Sequence, residues 1–187
     1  MRLYWLRSNR YWKRAAQEIV QLVHEHSSPE LTRALGHHAE SLFAVAAGRE
    51  GFKVDGPVLN SYGGKTWTRT EHDLDWVFPR DGVPWGVEIK NTWAYIPRAE
   101  MLTKIALCRH LGLKPLFIMR WAPKSYIEHV RQNGGFCLLY EHQYFPVGHT
   151  AAMEKLQALS LPVISPTLVP FGVFERFVKW HIRGLGM

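Results

Sequence analysis

The sequence predicts an α/β fold, a central mixed β-sheet flanked by helices, from three features of its apolar patterning. Residues 72–90 contain two runs that alternate with a period of two, separated by Asp81-Gly82, a dipeptide suited to a two-residue hairpin turn. Segments 11–26, 29–48 and 98–111 instead repeat their apolar residues at helical spacing. A continuous apolar run at 114–121 follows the third of these, as a buried strand follows a parallel crossover. An antiparallel hairpin joined to a parallel crossover makes the sheet mixed. The 187 residues are 47% hydrophobic and read as one domain. Its core spans about 30–140, with an N-terminal helix and a C-terminal helical extension packed on it.

In chain order, the helix at 11–26 sets Ala16, Ile19, Val20 and Val23 against Lys13, Arg14, Gln17 and Glu25. Ser27 and Glu30 have the spacing of a capping box, and Pro29 suits the first turn of the helix at 29–48. Ala39, Leu42, Phe43, Ala46 and Ala47 form its apolar stripe, Glu40 lies along one edge, and Gly48 or Gly51 supplies the stop. Residues 52–59 read as the first strand. The polar stretch 60–70 carries Tyr62, Trp67, Lys65 and Arg69, a composition that suits stacking on bases and contact with phosphates and equally suits an ordinary surface loop. After the hairpin, Met101, Leu102, Ile105 and Leu107 mark the apolar side of the helix at 98–111, ended by Gly112. A helix at 123–133 and a strand at 135–140 follow. Pro146, Pro162, Pro166 and Pro170 break the remainder into short pieces around a helix near 150–159, and residues 173–183 form a last amphipathic helix.

The chemistry concentrates in the hairpin. Asp73, Asp75 and Val77 share one face of its first strand, Glu88 and Lys90 share one face of its second, and Leu74, Trp76, Val87 and Ile89 take the opposite faces. A turn at Asp81-Gly82 sets Asp75 across from Glu88 and Asp73 across from Lys90. Three carboxylates so placed repel one another unless a cation neutralises them or protons are taken up. Oxygen ligands without a neighbouring cysteine pair favour Mg²⁺, with Mn²⁺ as substitute, over zinc, and Mg²⁺ is usually completed by substrate phosphate and water. The implied substrate is a phosphodiester. The alternative is a solvated hairpin of cross-strand ion pairs.

Asp75 followed by Glu88-Ile89-Lys90, preceded by a helix that bears Glu40, resembles the PD-(D/E)xK nuclease superfamily, which includes restriction endonucleases and Holliday-junction resolvase-like enzymes. The likeness covers roughly residues 30 to 120, and the proline that precedes the family's aspartate is missing. It implies a restriction-endonuclease-like core and a Mg²⁺-dependent endonuclease that hydrolyses DNA, in resolvase-like or restriction-like fashion. By the resemblance Asp75 and Glu88 are metal ligands, the Ile89 carbonyl completes the shell, Lys90 manages the nucleophilic water and Glu40 assists. The other reading of Glu40 is an exposed helix glutamate. Asp73 and Lys104 are auxiliary candidates, and Lys65, Arg69, Arg98 and Arg120 are expected to face DNA. The rival expectation is an inactive nucleic-acid-binding module that keeps the nuclease fold.

Charge agrees with a polyanionic partner, since 23 Lys and Arg against 16 Asp and Glu leave +7. RNA satisfies that argument as well as DNA, and a symmetric duplex cut would call for a homodimer. Cys108 and Cys137 have no metal-ligand or disulfide spacing, and the ten histidines are scattered without one. No phosphate loop of the NTPase type is present, so ATP dependence is not expected. Without a signal-peptide pattern or a long apolar run, the expected location is the cytoplasm, away from the membrane.

Overall fold

The computed structural model describes residues 11–57 and 59–186. Helix α1 (Trp12–His26) leads directly into α2 (Pro29–Arg49). The cap between them differs from the expected box: Ser27 ends α1, and the Ser28 hydroxyl accepts the Leu31 N–H at 3.3 Å. Pro29 holds the first helical position, so the cap must sit one residue before it, at Ser28. Ser28→Ala is expected to cost about 1 kcal/mol. Ser27→Ala should leave the urea midpoint within error, and equal losses from the two would overturn this cap.

The main sheet has four strands. Strands β3 (Trp76–Arg80) and β4 (Val83–Lys90) pair antiparallel in the predicted register, from Arg80 with Val83 to Trp76 with Val87. The turn is the one the sequence indicated, with φ of 50° at Asp81 and 74° at Gly82, both left-handed as a type I′ hairpin requires. Helix α3 (Arg98–Leu111) ends in left-handed Gly112 and returns the chain to β5 (Lys114–Met119), parallel to β4. Helix α4 (Lys124–Gln132) leads to β6 (Phe136–Leu139), parallel to β5. Antiparallel and parallel pairs thus share one sheet, flanked by helices.

Among the described residues of the expected strand at 52–59, two isolated bridges form, Asp55 with Val77 and Leu59 with Leu74. Gly56 at φ 149° and the following proline interrupt it, because neither sustains a regular ladder. Between the bridges and β3 lies a small hairpin, β1 (Ser61–Tyr62) with β2 (Lys65–Thr66). Its neighbour Trp67 is 4% exposed and belongs to the core, so it offers no face for stacking on bases.

Two hydrophobic layers sandwich the sheet. On one side Leu42, Phe43 and Ala47 of α2 meet Trp85, Val87, Ile89, Leu116 and Ile118, together with Phe177 and Val178 of the last helix. On the other, Met101, Ile105 and Leu107 of α3 and Val130 of α4 cover Phe117, Met119 and Val77. Gly86 permits the close approach of α3 to β4: a Cβ there would fall 2.6 Å from Cys108 Sγ. The C-terminal third adds a two-stranded parallel sheet, β7 (Gln143–Tyr144) with β8 (Val163–Ile164), joined through α5 (Thr150–Ala158). Helix α6 (Glu175–Gly184) closes the first layer. Among the described residues no helix is long and apolar enough to cross a membrane.

Candidate active site

The site forms where β4 ends. Glu88 and Lys90 project towards α3 because they alternate with Val87 and Ile89, which point into the opposite layer. The partner strand departs from strict alternation at one residue. The N–H of Asp75 donates to the Val87 carbonyl at 3.1 Å although Val87 already pairs with Trp76, so two residues stand against one. This bulge ends the ladder before Asp75 reaches its place opposite Glu88, and it re-aims the side chain. Carboxylate oxygen Oδ2 of Asp75 accepts the Ile89 N–H at 2.6 Å. The same irregularity moves Leu74 from its expected face into the layer of Val77 and α3.

Glu88 is 1% exposed and lies between two ammonium groups, Lys90 Nζ at 2.8 Å and Lys104 Nζ at 2.7 Å. Both oxygens are at ion-pair distance, yet neither receives a well-directed hydrogen bond. Lys104, itself buried, also donates to the Asp73 carbonyl and stands 3.8 Å from the Asp73 carboxylate. The expected opposition of Asp73 and Lys90 is therefore replaced. Asp73 precedes β3, so no ladder holds it across from Lys90, which pairs instead with Glu100 of α3 at 3.0 Å. Glu100 was not singled out in the sequence. Its signal was there, since Glu100 and Lys104 are four apart and share one face of α3.

The electrostatics separate the two acids. Burial pushes the Asp75 carboxyl up to about 7, with repulsion from Glu88 and Glu40 adding to it and the Ile89 N–H and Lys104 opposing it. Glu40 thus acts on the site from α2 through its charge, and its Oε2 is 3.3 Å from His37 Nδ1. Burial alone would lower the pKa of Lys90, but Glu88 and Glu100 outweigh it and hold the ammonium above its ordinary range. The Cys108 thiol beneath is pushed up to about 12, by burial first and by Glu88 next, and stays neutral. Lys104→Ala removes one of two counter-ions from buried Glu88. About 2 kcal/mol of stability should be lost, less than the 3–5 typical of an uncompensated buried charge because Lys90 remains; an unchanged urea transition would show that the pair contributes nothing.

Of the residues expected to face DNA, Lys65, Arg69 and Arg98 are exposed, with the Arg69 guanidinium 5.5 Å from the Trp67 ring. Arg120 is not. It is 4% exposed, donates through Nε and Nη2 to the Glu141 carbonyl at 3.1 and 2.5 Å, and packs on Trp93. Its position immediately after β5 draws it into the protein rather than outward.

Asn91 extends the site backwards into the fold. Its amide donates to the carbonyls of Leu35 and Tyr144 at 2.9 and 2.7 Å, and its Oδ1 accepts from the Tyr144 N–H at 3.0 Å and the Tyr140 hydroxyl at 3.2 Å. The Tyr140 hydroxyl lies 3.3 Å from the Lys90 carbonyl. These bonds fix the end of β4 to α2 and β7.

Among the described residues no group of three or more His, Cys, Asp or Glu side chains is disposed to hold a metal ion. Two carboxylates are nevertheless the protein donors by which Mg²⁺ is commonly held, with water and substrate phosphate completing the shell. The poorly satisfied oxygens of Glu88 beside the crowded Asp75 carboxyl fit that requirement. A concavity of about 740 Å³ lies elsewhere, between the end of α2 and residues 165–175, and has none of this chemistry.

The fold and site define an α/β protein with a mixed four-stranded sheet and an acid–lysine cluster at the end of its second strand. No protein-family profile matches the chain, and no curated protein matches it. A solved structure of a protein of unknown function, AF1548, is similar with a TM-score of 0.41 and 15% identity over 56% of this chain and 56% of that one. The similarity thus spans little more than half the length of either.

Proposed function

We propose that this protein is a Mg²⁺-dependent endonuclease that hydrolyses DNA phosphodiester bonds, in the manner of the resolvase-like and restriction-like members of the PD-(D/E)xK superfamily. One observation carries the reading: Asp75 is driven up to about 7 by burial and by two other carboxylates, beside a buried glutamate that two lysines neutralise. Such crowding of like charge is relieved by a divalent cation. Asp75 and Glu88 would hold Mg²⁺ with the Ile89 carbonyl, and Mn²⁺ would substitute. When bound, the ion would polarise a phosphoryl oxygen and lower the pKa of a coordinated water.

The remaining roles belong to this chain's own side chains. Lys90, held cationic by Glu88 and Glu100, is no proton acceptor near neutral pH, so it offsets charge on the phosphoryl group and orients the attacking water. Lys104 positions Glu88 and Asp73 from within the protein. Glu40 tunes Asp75 from α2. Exposed Lys65, Arg69 and Arg98 are the candidates for backbone contacts with DNA, and the net charge of +7 supports a polyanionic partner in the cytoplasm, RNA included.

A second reading has its own observation. Glu88 already has two ammonium partners, as a carboxylate would in an inactive nucleic-acid-binding protein that kept the fold. Incubating the purified protein with circular single-stranded, linear duplex and branched DNA, with Mg²⁺, Mn²⁺ or EDTA, separates the two. Cleavage that requires the metal is expected; tight binding of every substrate without a cut in either metal would support the inactive form.

A further inference from the structure

Beyond the ends of β5 and β6 a concavity of about 580 Å³ opens among Arg120, Trp121, Tyr140, Tyr144 and Arg176. Its volume falls in the range of small-ligand pockets, roughly 300–1,000 Å³. Its position is where open α/β sheets take ligands, outside the carboxyl ends of parallel strands.

Glu141 also lines the pocket, so two guanidiniums stand against one carboxylate and the charge is unbalanced. The buried Arg120 guanidinium lies 4.1 Å from the Trp93 ring centroid and 5.6 Å from that of Trp121. Its Nη1 is buried with no hydrogen-bond partner, and no ion pair involving Arg120 occurs among the described residues. Burial presses against its charge, and Tyr140 and Glu141 only partly offset that. A cation withdrawn from water without a counter-ion is costly, and an anion seated beside it removes the cost. Arg176 supplies a second guanidinium: it is exposed, donates to the carbonyls of Val173 at 3.4 Å and of Leu139, and its charge is felt at Tyr144. Trp121, 48% exposed, adds a flat apolar surface at the rim.

We propose that this pocket seats a phosphorylated nucleotide at the end of a nucleic-acid strand, with its terminal phosphate between Arg120 and Arg176 and its base against Trp121. The N–H groups that the backbone carbonyls leave free, Arg120 Nη1 among them, suit phosphate oxygens, and indoles suit bases of any sequence. The Tyr140 hydroxyl, bonded to the Lys90 carbonyl, ties the pocket wall to the candidate active site. The proposal deepens the nuclease reading and rests on it for the class of polymer.

The test is binding, measured in EDTA so that no cleavage intervenes. Fluorescent single-stranded octanucleotides ending in a 5′-phosphate, a 3′-phosphate or hydroxyls only are titrated by anisotropy. One of the phosphorylated ends should bind roughly tenfold more tightly than the hydroxyl end. That preference should vanish in Arg176→Ala and in Trp121→Ala, two exposed positions whose variants are checked for native melting. Adenosine 5′-monophosphate should compete better than inorganic phosphate. Equal affinity for all three ends, a preference that survives both substitutions, or inorganic phosphate competing equally well would each overturn the proposal. Circular DNA has no ends, so its cleavage reports on the nuclease reading separately.

Discussion

Lys90→Ala is expected to lower metal-dependent DNA cleavage by about 10²–10³-fold, the usual cost of losing one preorganised group that faces developing charge. The fold should persist, at a stability cost no larger than the about 2 kcal/mol expected for Lys104→Ala. Lys90 sits at the end of β4, and its removal leaves Glu88 with Lys104, so the buried carboxylate keeps a counter-ion. Lys90→Arg retains the charge and should therefore cut faster than the alanine variant. Asp75→Ala should lose at least as much activity, since it removes a proposed ligand outright. Undiminished cutting by folded Lys90→Ala or Asp75→Ala would refute the assignment.

The second large effect concerns stability without metal. The Asp75 carboxyl has an ordinary value of 3.8 and is driven to about 7 in the folded protein, first by burial and then by Glu88. A folded-state value above the unfolded one means that the native state holds the proton longer. The contribution of Asp75 is fully favourable below about pH 4 and is lost as the pH rises through about 7. At the top of that window the charged carboxylate costs on the order of 4 kcal/mol at most. Asp75→Asn keeps an oxygen for the Ile89 N–H and removes the charge. The variant should be more stable than the wild type at pH 8, by a few kcal/mol, with the gap narrowing as the pH falls and closing near pH 4. Urea unfolding of both proteins across that range, in EDTA, reads the difference. A constant difference between pH 5 and pH 8 would show that Asp75 does not titrate there.

The hairpin was the most legible part of the chain. Asp81-Gly82 specified the turn, and the turn fixed the register of β3 with β4. Helices α1 to α4 and strands β5 and β6 fell close to their predicted limits because apolar periodicity extends over whole elements. The failures are local. A period-two pattern carries through Asp75 in sequence, but a bulge depends on which carbonyl its N–H finds, and that is a three-dimensional matter. The strand at 52–59 broke at Gly56-Pro57, a pair visible in the sequence and outweighed there by the apolar residues around it.

In the site, Asp75, Glu88, Lys90, Glu40 and Lys104 are brought together, whereas Arg120 turns inward. Strand alternation places the acids and lysines of the hairpin. It could not assign Lys104 to Glu88 or Glu100 to Lys90, because those pairs depend on how α3 lies across the sheet. The close approach at Gly86 sets that placement.

Asn91 bears on how far the chain can be trimmed. Its side chain bonds to the backbone of Leu35 and Tyr144, and the Gln143 amide donates to its carbonyl at 2.8 Å. A fragment ending near residue 140 would strip partners from this buried amide and uncover the layer that Phe177 and Val178 fill. The segment beyond Tyr140 is thus the brace that keeps the end of β4 in place, and shortened versions of the protein should retain it.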